Sequence, residues 1–332
     1  MVAIATALIA AALGLGAFSS LMFSWQWVLG PPNAFVASVL FVGVVAAAIG
    51  FVAVVVRRTE RVPIAFDMQW VFLLTAILVA TYWIVGLAQR FPSGYTDAWI
   101  IWNDHARFFY RDGGTAWLRM FQPDREWFHP DYPFLLPGLI SSMWTLVGAE
   151  RGNVPAVVAC SVSLLSISIV VTSTSALSKD LRGVYAGLVL LATPSFLQRS
   201  ASQYADLPVG LYMLTTVVLL AFADAWRRVR TMLLVAAGLS AGMAAWTKNE
   251  GLLFVCVVLV VQTARLMRWR AGAIRRDPLL VAMVQEFRTT RRVHPVYWIG
   301  IAVFVARGYG VAPLAQTDSW RDFAHAVFAM MS

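Results

Sequence analysis

Charge is scarce in this 332-residue chain: 13% of its residues are charged, and no polar stretch is long enough to fold as a soluble domain. Cysteine is nearly absent. Cys160 and Cys256 each fall inside an apolar stretch, so the pair builds neither a disulfide framework nor a thiolate zinc site. Lysine is rarer than a basic protein would suggest: Lys179 and Lys248 are the two lysines among 26 basic residues, the rest being arginine. Internal repeats and low-complexity linkers are missing as well. Their absence weighs against the repeat-built architectures of many transporters.

What the chain has in quantity is apolar sequence: 60% of residues are hydrophobic and the mean hydropathy is +0.71. Apolar runs fit for a hydrocarbon core of ~30 Å recur at 4–29, 34–56, 69–89, 154–176, 183–198, 207–225, 231–247, 251–267 and 296–314. The first, Val2–Leu29, exceeds a signal-peptide core and carries no basic leader or small-residue cleavage site, so it is expected to remain as a span. The net charge of +9 does not indicate nucleic acid, because the arginines lie in short groups between apolar spans.

Those arginines set a topology. Arg57, Arg58 and Arg61 assign the second connection to the cytoplasm, which sends residues 90–131 outside. Arg227, Arg228, Arg230 and the basic stretch 265–292 must also be inside. Residues 134–148 decide the parity. If they crossed the bilayer, the Arg227 group would fall on the wrong side; at about fifteen residues, with Pro137 and Gly138, they are short for a crossing. They are therefore expected to form a juxtamembrane helix on the outer surface, and 278–294 an amphipathic segment on the inner leaflet. One consequence follows without further assumption. Asp97, Asp104, His129, Asp131, Asp206, Lys248 and Glu250 all face one compartment, at one membrane surface. The expected organisation is two N-terminal helices (1–68), a seven-helix module (69–314) whose first outer loop spans 90–153, and a short tail (315–332).

Four segments on that face carry a resemblance. They are Tyr95-Thr96-Asp97-Ala98-Trp99-Ile100-Ile101-Trp102-Asn103, His129-Pro130-Asp131-Tyr132-Pro133, Tyr204-Ala205-Asp206-Leu207-Pro208 and Trp246-Thr247-Lys248-Asn249-Glu250-Gly251. In this order, with a long first outer loop, the chain resembles GT-C glycosyltransferases of the dolichyl-phosphate-mannose protein mannosyltransferase type and their bacterial relatives, over residues 69–270 or so. Two features depart from the family's pattern. The paired acids common at the start of this loop are here Asp97 followed by Ala98, and the chain ends about eighteen residues past its last expected span, where many relatives continue. The resemblance implies an all-α polytopic membrane protein, a GT-C-like helical bundle of about nine transmembrane helices with juxtamembrane helices in its first outer loop. It also implies inverting transfer of a sugar from a polyprenyl-phosphate carrier to a hydroxyl of a glycan, lipid or protein. The partners are then that donor, the acceptor and the bilayer, not nucleic acid. The compartment is the outer face of a bacterial inner membrane, in keeping with the arginine- and alanine-rich composition.

Such a displacement needs a carboxylate to take the acceptor proton and cations for the leaving phosphate. Asp97 is the candidate base, between Tyr95 and Trp99; its competing role is a helix N-cap. Asp131 either assists proton transfer and acceptor orientation or serves turn chemistry between prolines. Lys248 suits the lipid phosphate, because a lysine on the outer side runs against the positive-inside trend. Glu250 would hold it or contact the sugar, and the alternative is a snorkelling lysine at a helix end. Asp206 and Tyr204 either line the sugar pocket or cap the following span; His129, Arg107, Arg111 and Arg199 are reserve ligands. No cofactor is required. A divalent ion held by Asp97, Asp104 and His105 stays an open alternative. Trp99, Trp102, Trp127 and Trp144 read most simply as interfacial aromatics, a minority of them sugar platforms. The reading from a different class is a transporter or lipid flippase.

Overall fold

The structure is a computed structural model that describes residues 1–60, 62–63, 67–111, 116–121, 129 and 131–272, with side chains described as far as 265. The expected span 296–314, the segment 278–294, the tail 315–332 and Trp127 lie outside the described residues.

Eleven α-helices account for most of the described chain, and no strand occurs among its described residues. They are α1 Val2–Leu29, α2 Ala34–Arg58, α3 Met68–Arg90, α4 Asn103–Arg111, α5 Leu135–Val147, α6 Val154–Ser178, α7 Arg182–Leu191, α8 Pro194–Ser202, α9 Asp206–Ala225, α10 Arg230–Ala245 and α11 Asn249–Gly272. Five of them (α1, α2, α3, α6 and α9) are long and apolar enough to cross a membrane, which makes this a multi-pass helical membrane protein. Several of their polar side chains are satisfied locally, as a hydrocarbon environment favours. In α6, Ser163, Ser166 and Thr172 each donate to the carbonyl four residues back, at 2.8, 2.8 and 2.6 Å.

One expected span takes another form, and the segment 134–148 shows its own. Residues 183–198 are not one helix: the chain breaks at Ala192 and Thr193 into α7 and α8. Pro194 supplies no N–H, and the residue before it is driven to an extended backbone, here Thr193 at ψ 107°. Residues 134–148 form the short helix that parity requires, thirteen residues or about 20 Å. The helix is packed inside the bundle, not laid on its exterior. α5 is buried from Leu135 to Ser142 and again at Trp144, packed on α1 and α4. Gly138 admits the close approach of Ser19, whose hydroxyl donates to the Leu135 carbonyl at 2.7 Å.

Nor is α1 an appendage to the later helices. It packs on α2, α5 and α6, and one apolar cluster joins Ala5, Phe18 and Val55 to Leu139, Leu219 and Leu233 across the boundary at residue 68. The Tyr212 hydroxyl of α9 donates to the Ala12 carbonyl of α1, and Ser240 of α10 donates to the Tyr212 carbonyl at 2.9 Å. α9 and α10 form the most extensive helix pairing in the molecule.

These contacts give the bundle two chemically distinct ends. At one, the Met1 amino group donates to the Val62 carbonyl, and Pro63 and Asp67 share a polar pocket with Lys179, Asp180 and Arg182. Asp224 pairs there with Arg265 at 2.7 Å, and the Arg227–Val229 turn touches α2. The arginine groups at 57–58 and 227–230 thus share this end. At the other end meet the close of α3, the start of α9, the α10–α11 turn and the loop that leads into α5.

Candidate functional site

The second end is built on backbone that few sequences could follow. Gly94 has φ +73°, and a Cβ there would stand 2.5 Å from Ala98 Cβ and 2.6 Å from the Ser202 carbonyl, so glycine is required. Beside it the Tyr95 amide donates to the same Ser202 carbonyl at 3.2 Å. Asn103 donates to the Ser93 carbonyl at 3.1 Å and to Gln203 Oε1 at 3.2 Å, while Gln203 Nε2 donates to the Pro92 carbonyl at 3.1 Å. This buried amide pair clips the start of the long loop to the α8–α9 turn.

Between the clips lies a π-helical turn, Ala98–Trp102, opened by Asp97. Such turns recur at functional positions because the extra residue re-aims a side chain. Asp97 makes no side-chain cap bond, so the capping role is not realised. It is exposed.

The cations and acids converge across the α9 and α11 starts. Asp206 accepts from Lys248 Nζ at 2.7 Å and from Arg199 at 2.9 Å, and Lys248 also meets Glu250 at 3.0 Å. The Arg199 guanidinium lies 5.3 Å from the Tyr204 ring centroid. Gly251 permits this turn, since a Cβ there would collide with the Ala244 carbonyl at the end of α10. Burial disfavours the Lys248 ammonium, but the hydrogen bonds and charges of Asp206 and Glu250 outweigh it, and the net pKa is raised. Lys248 is therefore a lasting cation, not a proton carrier.

The loop into α5 closes the cluster. Asn249 donates to Asp131 at 3.1 Å, and His129 Nδ1 stands 3.8 Å from the same carboxylate. The Leu135 amide donates to the Trp246 carbonyl at 3.0 Å, tying α5 to the end of α10. Tyr132 stacks on Trp102, with ring centroids 5.1 Å apart, and on His129, with centroids 5.0 Å apart. Burial pushes the Tyr132 phenol up; Lys248 pulls it down, and Glu250, Asp131 and Asp97 push it further up. That balance marks Tyr132 as the residue that feels all four charged groups at once.

The sequence-expected residues thus divide. Asp97, Asp131, His129, Tyr204, Asp206, Lys248, Glu250 and Arg199 gather at this end. Arg107 and Arg111 are engaged by Glu150 instead, at 3.1 and 2.6 Å, and these hydrogen bonds hold the Glu150 carboxyl below its usual range despite burial. His105 is fully buried against the edge of Phe134, and Asp104 is half-buried on the same helix. Among the described residues no three His, Cys, Asp or Glu side chains converge as metal ligands, so Asp97, Asp104 and His105 do not form the set considered from sequence. Trp102 and Trp144 are buried, not interfacial, and Trp144 donates to the Arg151 carbonyl at 2.9 Å; Trp99 is exposed.

Sequence reasoning missed Tyr132, Asn249 and the Asn103–Gln203 pair as site residues. The first two stand inside quoted motifs, and that adjacency was the available signal. Comparison with known proteins finds no matching family model, no matching curated protein and no matching solved structure.

Proposed function

We propose that this chain is an integral-membrane inverting glycosyltransferase that moves a sugar from a polyprenyl-phosphate carrier to an acceptor hydroxyl on the outer face of a bacterial inner membrane. The observation that carries the reading is the lasting Lys248 cation, gripped by Asp206 and Glu250 at the end of the bundle where the exposed Asp97 carboxylate and Asp131 also act on Tyr132. Asp97 accepts the acceptor's proton as its oxygen attacks the anomeric carbon. The bond from that carbon to the phosphate oxygen breaks, and the carrier phosphate leaves with the electron pair. Lys248 and Arg199 balance the charge that develops on it. Asp131 and the Tyr132 hydroxyl orient the acceptor, and Asp97 then returns its proton to solvent.

Transport is the weaker reading. Ionisable groups of transporters lie near the bilayer midplane. In the five long apolar helices here they stand at the helix ends: Arg57 and Arg58 in α2, Arg90 in α3, Asp206 and Asp224 in α9.

The test is release of label from a panel of radiolabelled polyprenyl-phosphate sugars by the full chain in nanodiscs, beside Asp97→Asn. An amide keeps the shape and cannot take the proton, so transfer should fall at least ~10²-fold. Wild-type turnover in Asp97→Asn rejects the base; no release from any donor by folded wild type rejects the reaction class.

A further inference from the structure

The grip on Lys248 poses a problem for its proposed role. Arg199, Asp206, Lys248 and Glu250 bring two cations and two anions together, so the cluster is neutral as it stands. A phosphate approaching it gains little unless one carboxylate leaves. The two carboxylates are not equivalent. Asp206 bridges both cations, at 2.7 and 2.9 Å, and its side chain is 31% exposed; Glu250 touches only Lys248 in this group, at 3.0 Å, and is 58% exposed. Glu250 also sits in the first turn of α11, two residues past the lysine, so a change of side-chain rotamer alone would release it.

Resting on the phosphate reading of Lys248, we propose that Glu250 is a stand-in anion: it holds the Lys248 ammonium until the phosphate of a lipid ester takes its place. Asp206 stays throughout and keeps the lysine aimed. The exchange has a chemical consequence. A carboxylate offers Lys248 two oxygens and one charge, whereas a phosphate monoester brings three strong acceptor oxygens and close to two charges. The swap therefore favours the leaving carrier phosphate over the singly charged diester of the donor, so it strengthens as the bond to the sugar breaks. It also discriminates against neutral sugars and simple carboxylates, which cannot displace Glu250. Once transfer is complete, the returning Glu250 competes with the product for the lysine and helps to expel it.

The experiment measures farnesyl phosphate binding by calorimetry to the full chain in detergent, for wild type, E250Q, E250A, K248A and the K248A/E250Q double variant, each qualified by monodisperse elution. E250Q and E250A should bind about fivefold tighter than wild type, the scale of one partly exposed ion pair. The gain should vanish in the double variant, because there is no lysine left to contest. A carboxylate with a merely structural role gives no gain on removal. Unchanged or weaker binding by E250Q and E250A, with K248A still losing affinity, overturns the stand-in and leaves the phosphate site standing. Wild-type affinity in K248A overturns the phosphate reading and the exchange with it. Dihexanoyl phosphatidic acid, run in parallel, separates the sources: tightening with farnesyl phosphate alone assigns the site to isoprenoid carriers, and tightening with both assigns it to lipid phosphates generally.

Discussion

Tyr132 shows how much a single side chain can report. Its ring is already stacked on Trp102 and His129, so the group it most readily offers a substrate is the hydroxyl. Burial and three nearby carboxylates raise its pKa against the pull of Lys248, which keeps it protonated and a hydrogen-bond donor throughout the neutral range. Tyr132→Phe keeps the stack and removes the donor. Transfer should fall roughly tenfold, the scale of a hydrogen bond of about 1.4 kcal/mol, with thermal stability unchanged. Because the pKa is raised above its ordinary 10.0, the midpoint of any activity loss on its account should lie above pH 10. An alkaline limb near neutrality that disappears in Tyr132→Phe contradicts this. Gly94→Ala tests the backbone beneath the site instead. With φ +73° and the Ser202 carbonyl 2.6 Å from the added carbon, it should lower thermal stability in detergent by more than an ordinary surface change, and disturb Asp97 with it.

At the scale of elements, Glu150 joins α4 to the turn after α5 through Arg107 and Arg111. Its depressed pKa sets the sign of a pH effect. A carboxyl with a folded pKa below its ordinary 4.5 contributes stability that is complete above that value and is lost as pH falls below it. Wild type should therefore lose its margin over Glu150→Gln below pH 4.5. With Arg111 largely exposed, the margin is about 1 kcal/mol or less, a shift of roughly 2–4 °C at most in thermal unfolding. A margin that does not shrink as pH falls below 4.5 assigns it to packing instead. The sequence announced most of these elements, because an apolar run of twenty or more residues has few other fates. It announced less well what lies between runs. The α7–α8 break was present in Pro194 but hidden by continuous hydropathy, and the burial of α5 within the bundle was not legible because a membrane protein's lipid-facing and core-facing residues share one composition. Trp102 and Trp144 were misread for the same reason. Within the site, residue types and motif order were legible. Partners such as Asp131 and Asn249, 118 residues apart, leave no periodic trace.

At the scale of the molecule, the charge-parity argument and the helix contacts agree without sharing an assumption. The first counts arginines. The second follows hydrogen bonds and packing from helix to helix, and it also brings residues 57–58 and 227–230 to one end and Asp97, Asp131, Asp206 and Lys248 to the other. The chain's own cysteines make the test simple, since Cys160→Ser and Cys256→Ser remove the two thiols it has. Single cysteines then replace Arg58, Lys179 and Arg227 at the arginine end, and Thr96 and Val147 at the other. In sealed bacterial spheroplasts an impermeant maleimide should label the Thr96 and Val147 variants at once, and the other three only after the membrane is opened. If Arg58 and Arg227 label from opposite sides, 134–148 crosses the bilayer, and the common end fails with it. If all five simply reverse, the two-ended bundle stands but its acids face the cytoplasm, where a donor presented on the outer leaflet could not reach Lys248.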